Sequence, residues 1–292
     1  MSLPFLDSKG STIPEALILG SGARAVVILQ NGVAVKTPVR LPWSCAYDIQ
    51  SNIGSIRREQ DVYRRLQQPP DDDPRASGVV RCVEFASEAT HLAHMVNGDL
   101  QRYLEKSRPS AELQLQWCLE MAQALDYVHD RRVLVADIAS RNLLLDARLS
   151  IKICDFSEAT LLPLNTDMLS ADDKGYTTQI DIGLLGAVMY EIATGVRCKV
   201  DLYMDSETHA SWPARDVLPD TGGLALGGII EGCWSRRFPS AGHLWQALHA
   251  LHCPAPSAVA GIYNSIIQRP VVAVIGALGL AMYILMARRQ RF

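Results

Sequence analysis

The chain has 292 residues, 48% of them hydrophobic, with a formal charge of −3 and no basic stripe, so it can bury a large core and offers nucleic acid no obvious footprint. Its seven cysteines are scattered without a C-x-x-C pair, which argues against a disulfide framework or a zinc site and reads as reduced thiols in a cytosolic domain. Met1 to Thr12 has neither a basic region nor an apolar run, so no signal peptide is expected there, and no internal repeat is visible.

The first patterned stretch is A-L-I-L-G-S-G-A-R-A-V-V-I-L-Q-N-G-V-A-V-K-T-P over 16–38. It predicts two strands around a glycine-rich turn and then a hairpin ending in V-A-V-K at Lys36. Gly20 and Gly22 let the backbone lie close to a ligand, because no side chain intrudes and the amide groups can face an anion. A helix is expected from about Ser51 to Gln67, where Ile53, Ile56, Gln60, Tyr63 and Leu66 fall near helical spacing among many charges, Glu59 included. A polar loop follows, Pro69-Pro-Asp-Asp-Asp-Pro74. Then T-H-L-A-H-M-V-N-G-D-L-Q-R-Y-L predicts a strand at His91 to Met95, a turn at Asn97 and Gly98, and a helix opened by Asp99. Leu115, Cys118, Leu119, Ala122, Leu125 and Val128 mark a long core helix over 111–129, with His129 read as a helix-end residue and not a ligand.

The most informative segment is V-A-D-I-A-S-R-N-L-L-L-D-A-R-L-S-I-K-I-C-D-F over 135–156. Its apolar runs 143–145 and 151–154 predict a short hairpin separating a loop that carries Asp137 and Asn142 from a turn that carries Asp155. Downstream come Asp181-Ile-Gly-Leu-Leu-Gly186 and Gly232-Cys-Trp-Ser-Arg-Arg-Phe-Pro-Ser240. In this order, over 17–251, these motifs resemble those of the eukaryotic protein kinase superfamily. The resemblance implies an α+β, two-lobed fold over 14–253, with a small β-rich N-lobe (about 14–96) and a larger α-helical C-lobe (about 97–253).

It also implies a chemistry, ATP with magnesium as cofactor and a protein hydroxyl as acceptor. Phosphoryl transfer needs a carboxylate at the attacking hydroxyl while a carboxamide and a second carboxylate hold magnesium against the triphosphate. Asp137 is then the catalytic base, Asn142 and Asp155 the metal ligands, and Lys36 the phosphate-pairing lysine, aimed by an ion pair to Glu59. Gly20 and Gly22 cover the phosphates, and Val27 or Val26 the adenine. Ala34 and Leu144 complete the adenine site, Ala93 and Met95 offer it backbone groups, and Leu92 guards the back of the pocket. Asp181 is structural, bonding the backbone of the catalytic loop. Cys154 lies beside the metal aspartate and reads first as a small buried apolar residue.

The departures from the family pattern are equally specific. Ala25 stands at the third glycine, Val135 and Ala136 replace histidine and arginine before Asp137, and Ser157 replaces the glycine after Asp-Phe. The missing arginine normally grips an activation-loop phosphate, so activity should not require such phosphorylation. The stretch from Asp155 to Asp181 is short and has no A-P-E, and Phe238 stands where that glutamate's arginine partner belongs. Losing both partners of a buried ion pair can be nearly neutral, whereas losing one costs about 3 to 5 kcal/mol. Ala139 and Arg141 resemble the tyrosine-kinase catalytic loop, which settles neither acceptor class with the docking segment trimmed. Retention of Lys36, Glu59, Asp137, Asn142 and Asp155 favours catalysis. The alternatives are a nucleotide-binding pseudokinase scaffold, supported by the departures, and a small-molecule kinase, which also lacks A-P-E.

After a linker over 254–269, Pro270 opens V-V-A-V-I-G-A-L-G-L-A-M-Y-I-L-M-A, closed by Arg288, Arg289 and Arg291. At about 1.5 Å per residue this predicts a transmembrane helix over 270–288 across most of a hydrocarbon core of about 30 Å, with Arg269 and Arg288 snorkelling at its ends. A span so close to the chain end implies a tail anchor that leaves residues 1–269 cytosolic, in the mitochondrial outer membrane or the endoplasmic reticulum. A soluble or interfacial helix is the other reading.

Overall fold

The computed structural model describes residues 4–68, 73–204 and 206–252. The expected linker and the 270–288 span lie outside them. Among the described residues no helix is long and apolar enough to cross a membrane.

Five antiparallel strands build the small lobe: β1 (Ile18–Ser21), β2 (Ala25–Gln30), β3 (Val33–Pro38), β4 (Cys82–Phe85) and β5 (Thr90–Ala93), in the order β1-β2-β3-β5-β4. Directly opposed residues share a face, and the register pairs Val27 with Lys36, Ala34 with Leu92, and Lys36 with Thr90. That face carries Ala34 and Leu92 into the main core, with Val27 packed beside them. Val26 is therefore on the other face, wholly buried against Phe5, Ile13 and Val39. The segment that supplies Phe5 and Ile13 is tied down by Leu6 N–H to the Arg40 carbonyl at 2.8 Å and Ile13 N–H to the Phe5 carbonyl at 2.8 Å. The packed lobe thus begins before the expected boundary at residue 14, because the sheet's outer face needs an apolar cover.

Helix α1 (Ala46–Leu66) starts five residues earlier than its apolar spacing indicates. Cys45 caps it: the thiol accepts from Asp48 N–H at 3.4 Å, and the Asp48 carboxylate accepts from Cys45 N–H at 3.3 Å. Ile53, Ile56, Val62, Tyr63 and Leu66 form its buried face, and Glu59 is buried with them.

In the large lobe, α2 (Leu100–Lys106) follows the hinge and α3 (Ala111–Asp130) runs through the core, with Trp117, Cys118, Met121, Ala122 and Leu125 fully buried. Short strands β6 (Val133–Leu134) and β9 (Thr160–Leu161) pair, as do β7 (Leu143–Leu145) and β8 (Ile151–Ile153). Helices α4 (Thr178–Thr194), α5 (Gly227–Trp234) and α6 (Ala241–His252) complete the described part. Val80 N–H to the Ile153 carbonyl at 2.9 Å ties the small lobe to the large one, and Leu145 N–H to the Gly98 carbonyl at 2.8 Å fastens the start of the large lobe to β7. These bonds bring β7, with Leu144, against the chain that leaves β5.

Candidate active site

Lys36 is fixed by its place in the middle of the sheet, and its ammonium meets two carboxylates: Glu59 Oε2 at 2.7 Å and Asp155 Oδ1 at 2.8 Å. Lys36 and Glu59 are almost completely buried, whereas the Asp155 side chain is 37% exposed. Burial alone would pull the Lys36 pKa down, but the fields of Glu59 and Asp155 overcome it and hold the ammonium charged well above its ordinary range. Glu59 moves the other way: burial pushes its pKa up, only partly offset by Lys36. Asp155 also feels burial, yet the Lys36 charge and hydrogen bonds from Lys36 and Ser157 keep its pKa below the ordinary carboxylate value.

The second oxygen of Glu59, Oε1, accepts the Phe156 N–H at 3.1 Å. Phe156 is buried edge-on to Tyr63, one helical turn beyond Glu59, with ring centroids 5.2 Å apart. One carboxylate on α1 therefore aims the lysine and docks the turn that carries Asp155. That turn has Asp155 at a φ of 60°, and Ser157 N–H closes it onto Asp155 Oδ1 at 3.3 Å.

On the other side of the cleft Asp137 is held by its own loop. Asn142 Nδ2 donates to the Asp137 carbonyl and to Asp137 Oδ2, both at 2.9 Å, and Arg141 pairs with Oδ1. Both bonds use the Asn142 carboxamide nitrogen as donor, which leaves its oxygen outside them. Cys154 is buried, its thiol donates to the Asn142 carbonyl at 3.3 Å, and burial pushes its pKa up.

The loop rests on Asp181, 1% exposed, whose Oδ2 accepts from Val135 N–H and whose Oδ1 accepts from Ala136 N–H, each at 2.9 Å. His129 Nε2 lies 2.9 Å from Asp181 Oδ2. Its position at the end of α3 matches the sequence reading, but burial on Asp181 makes it part of the loop's support, which spacing alone does not reveal. Nor does spacing reveal Arg141 as the partner of Asp137.

The remaining residues line up along the cleft. Gly20 pairs with Val27 and so shares the face of Lys36, and a Cβ added there meets nothing within 4 Å. A Cβ at Gly22 meets only the Ala25 carbonyl, at 4.0 Å. Packing within the chain does not demand either glycine, and what their missing side chains leave is open space. Ala93 N–H is committed to the Arg81 carbonyl at 2.8 Å and the Met95 carbonyl to Gly98 N–H at 3.0 Å. Among the described residues no cluster of three or more His, Cys, Asp or Glu forms a closed metal cage.

The sequence profile of the family described as protein tyrosine and serine/threonine kinase matches residues 76–240, more than half of the chain. The chain belongs to that family. Among its relatives, a probable serine/threonine-protein kinase of Dictyostelium discoideum is 26% identical over 199 residues, covering 61% of this chain and 21% of that protein. A serine/threonine/tyrosine-protein kinase of Arabidopsis thaliana is 26% identical over 164 residues, 49% of this chain and 41% of its own length. A tyrosine-protein kinase receptor of Danio rerio is 27% identical over 195 residues, 56% of this chain and 22% of the receptor. The chain thus spans well under half the length of these relatives. The matched region begins after Lys36 and Glu59, so the fold, and not that match, brings those two residues together with Asp155.

Proposed function

We propose that the chain is an ATP-dependent protein kinase that transfers the γ-phosphoryl group to a protein hydroxyl. The observation that carries this reading is the Lys36, Glu59 and Asp155 network, closed by Phe156 docked beneath α1. Bound ATP with magnesium supplies the phosphoryl group and the charge that neutralises its oxygens as the transfer proceeds.

The protein's own residues position and discharge. Lys36 stays protonated and offers a fixed cation to the phosphates. Glu59 keeps it aimed, because a buried ammonium with a single partner would be free to swing. Asp155 and the Asn142 oxygen would hold magnesium, and the open space over Gly20 and Gly22 leaves room for phosphates beneath β1 and β2. Val27, Ala34, Leu92 and Leu144 supply the apolar faces for adenine, and the backbone of Ala93 and Met95 its polar edge. Asp137, oriented by Asn142 and Arg141, takes the proton of the attacking hydroxyl. Relatives named for serine, threonine and tyrosine acceptors alike leave the class of hydroxyl open.

A second reading, a nucleotide-binding scaffold, is favoured by Ala136 and Ser157 at altered motif positions and by Phe238 where the family has arginine. In either case we propose that the apolar 270–288 segment tethers the protein to a membrane with the catalytic unit on the cytosolic side. Transfer from labelled ATP with magnesium by the full-length chain, beside Lys36→Met and Asp155→Asn, tests the first reading. Label on protein that both substitutions abolish supports the kinase. Magnesium-dependent ATP binding without transfer to protein supports the scaffold, and transfer to small alcohols alone supports a small-molecule kinase. Flotation with liposomes, lost on deletion of 270–288, tests the tether.

A further inference from the structure

Helix α1 is fastened to the small lobe by Gln60, whose Nε2 donates to the carbonyls of Ala86 and Ala89, both at 2.9 Å, at the turn between β4 and β5. Two charged side chains of the same helix hold backbone of the large lobe. Glu59 Oε1 accepts from Phe156 N–H at 3.1 Å, and Arg65 Nη1 donates to the carbonyls of Arg131 at 3.2 Å and Leu162 at 3.1 Å. Arg131 leads into β6 and so into the loop of Asp137, and Leu162 leaves β9, which pairs with β6. The two strands meet at this place, where Leu162 N–H donates to the Arg132 carbonyl at 2.9 Å. One guanidinium nitrogen therefore holds both the entry to the catalytic loop and the end of the stretch that starts at Asp155.

The two holds on that stretch are matched in spacing. Glu59 and Arg65 are six residues apart on α1, and Phe156 and Leu162 are six residues apart on the stretch. On the helix this separation is about 9 Å. A stretch held at Phe156 alone would be free to pivot there and carry Asp155, one residue away, off the Lys36 ammonium that it meets at 2.8 Å. The hold at Leu162 removes the pivot. A displacement of about 1 Å is enough to slow a positioned reaction about a hundredfold. Ala136 stands where the family has the arginine that grips this stretch through a phosphate, so here the fastening comes from α1 and backbone carbonyls.

Resting on the kinase reading, we propose that Arg65 is a positioning residue: bound to the Arg131 and Leu162 carbonyls, it registers residues 156–162 against α1 and thereby keeps Asp155 on Lys36.

The test compares the full-length chain with Arg65→Met, which keeps an apolar stem and loses both bonds, and with Arg65→Lys, which returns a cation to the two carbonyls. The first readout is amide exchange by NMR, which needs no transfer. Phe156 N–H should exchange about tenfold faster in Arg65→Met, with the amides of Met121 and Leu125 in the core of α3 unchanged, and Arg65→Lys should restore most of the protection. The second readout is kinetic. Arg65→Met should lower kcat about tenfold and raise the magnesium concentration for half-maximal rate about fivefold, with the KM for the protein acceptor within about twofold. Unaltered exchange at Phe156 overturns the proposal. So does equal acceleration in α3, which would make Arg65 an ordinary contributor to stability, and so does an Arg65→Lys variant as unprotected as Arg65→Met. If the wild type transfers nothing, the kinase reading fails by itself, and exchange at Phe156 still decides whether Arg65 registers the stretch.

Discussion

On the phosphate side of the cleft three ionised side chains share one network, Lys36 between Glu59 and Asp155, and a backbone N–H from Phe156 completes it. On the acceptor side the stretch from Ser157 to Thr177 is held by short turns, by the Thr160 hydroxyl on Asp173 at 2.6 Å, and by a loop from beyond α4. The first side tolerates almost no substitution, because each charge is desolvated by its partners' burial and removing one strands the others. The second has exchanged its charged fastening for apolar packing. Phe238 is buried, and a Cβ on Gly232 would come within 2.6 Å of its ring, so the ring is packed against the α5 backbone. On the proposed kinase reading, phosphoryl transfer constrains the first side more tightly than the second.

Asp137→Asn breaks the comparison most severely, since it sits where the two sides meet. Loss of a general base costs roughly a hundredfold to ten-thousandfold. We expect transfer to fall by about a thousandfold. The proposed site gives Asp137 no part in holding nucleotide or magnesium, so ATP binding measured by calorimetry should stay within about twofold. Comparable transfer by this variant would remove Asp137 from the reaction. On the acceptor side the largest effect is expected from Phe238→Arg. It places an unpartnered guanidinium against Gly232, and urea unfolding should show a loss of about 3 kcal/mol. A neutral result would mean that an acid still waits there and that the ion pair had not been replaced by packing.

Glu59→Gln comes next, and its signature is in pH. Glu59 has its pKa raised by burial from an ordinary 4.5, and Asp155 has its pKa lowered from an ordinary 3.8, burial being overcome by Lys36. As pH falls, Glu59 therefore takes a proton first, above pH 4.5, while Asp155 is still ionised. The ammonium loses one of its two anchors, and kcat/KM for ATP should decline on that acid limb. A carboxamide at this position cannot titrate, so the variant should start about tenfold to a hundredfold lower, in line with the loss of one positioning interaction, and lack the limb. A limb that persists in the variant would belong to another group.

The resemblance to kinase motifs singled out Lys36, Glu59, Asp137, Asn142 and Asp155 in the sequence, and the fold brings Lys36 against Glu59 and Asp155 and Asn142 against Asp137. The register then settles what alternation left open, with Val27 on the face of Lys36 and Val26 behind it. What stayed hidden depends on residues far apart in sequence. Phe5 and Ile13 show no period of their own and declare themselves only against Val26 and Val39. His129 looks like any helix-end histidine until Asp181, 52 residues on, arrives beneath the catalytic loop. Tyr176 and Tyr203, whose hydroxyls meet at 2.8 Å, lie in different loops, each polar and short of periodicity. The start of α1 was missed for a different reason: cysteine is an unusual cap, and the first turn carries no apolar stripe.

The smallest expected effect tests how the catalytic loop bridges the two sides. Ala136 has a φ of 65° and is kept there by its N–H bond to Asp181 Oδ1 at 2.9 Å. A residue with a Cβ in that region carries about 1 to 2 kcal/mol of strain. Glycine removes the strain but enlarges the unfolded ensemble, which costs about 0.5 to 1 kcal/mol. Ala136→Gly should therefore stabilise the chain by about 0.5 kcal/mol in urea unfolding, the difference between two opposed effects. Transfer should drop no more than about twofold, because Asp181 still fixes the backbone that carries Asp137. Ala136→Val must do the reverse, since a β-branched residue is the least suited to a positive φ. If both variants prove equally stable, the left-handed turn is not what Asp181 maintains. If Ala136→Gly is stabilised but loses transfer tenfold or more, the strain itself holds Asp137 in register, and the alanine that replaced the family arginine has become part of the site.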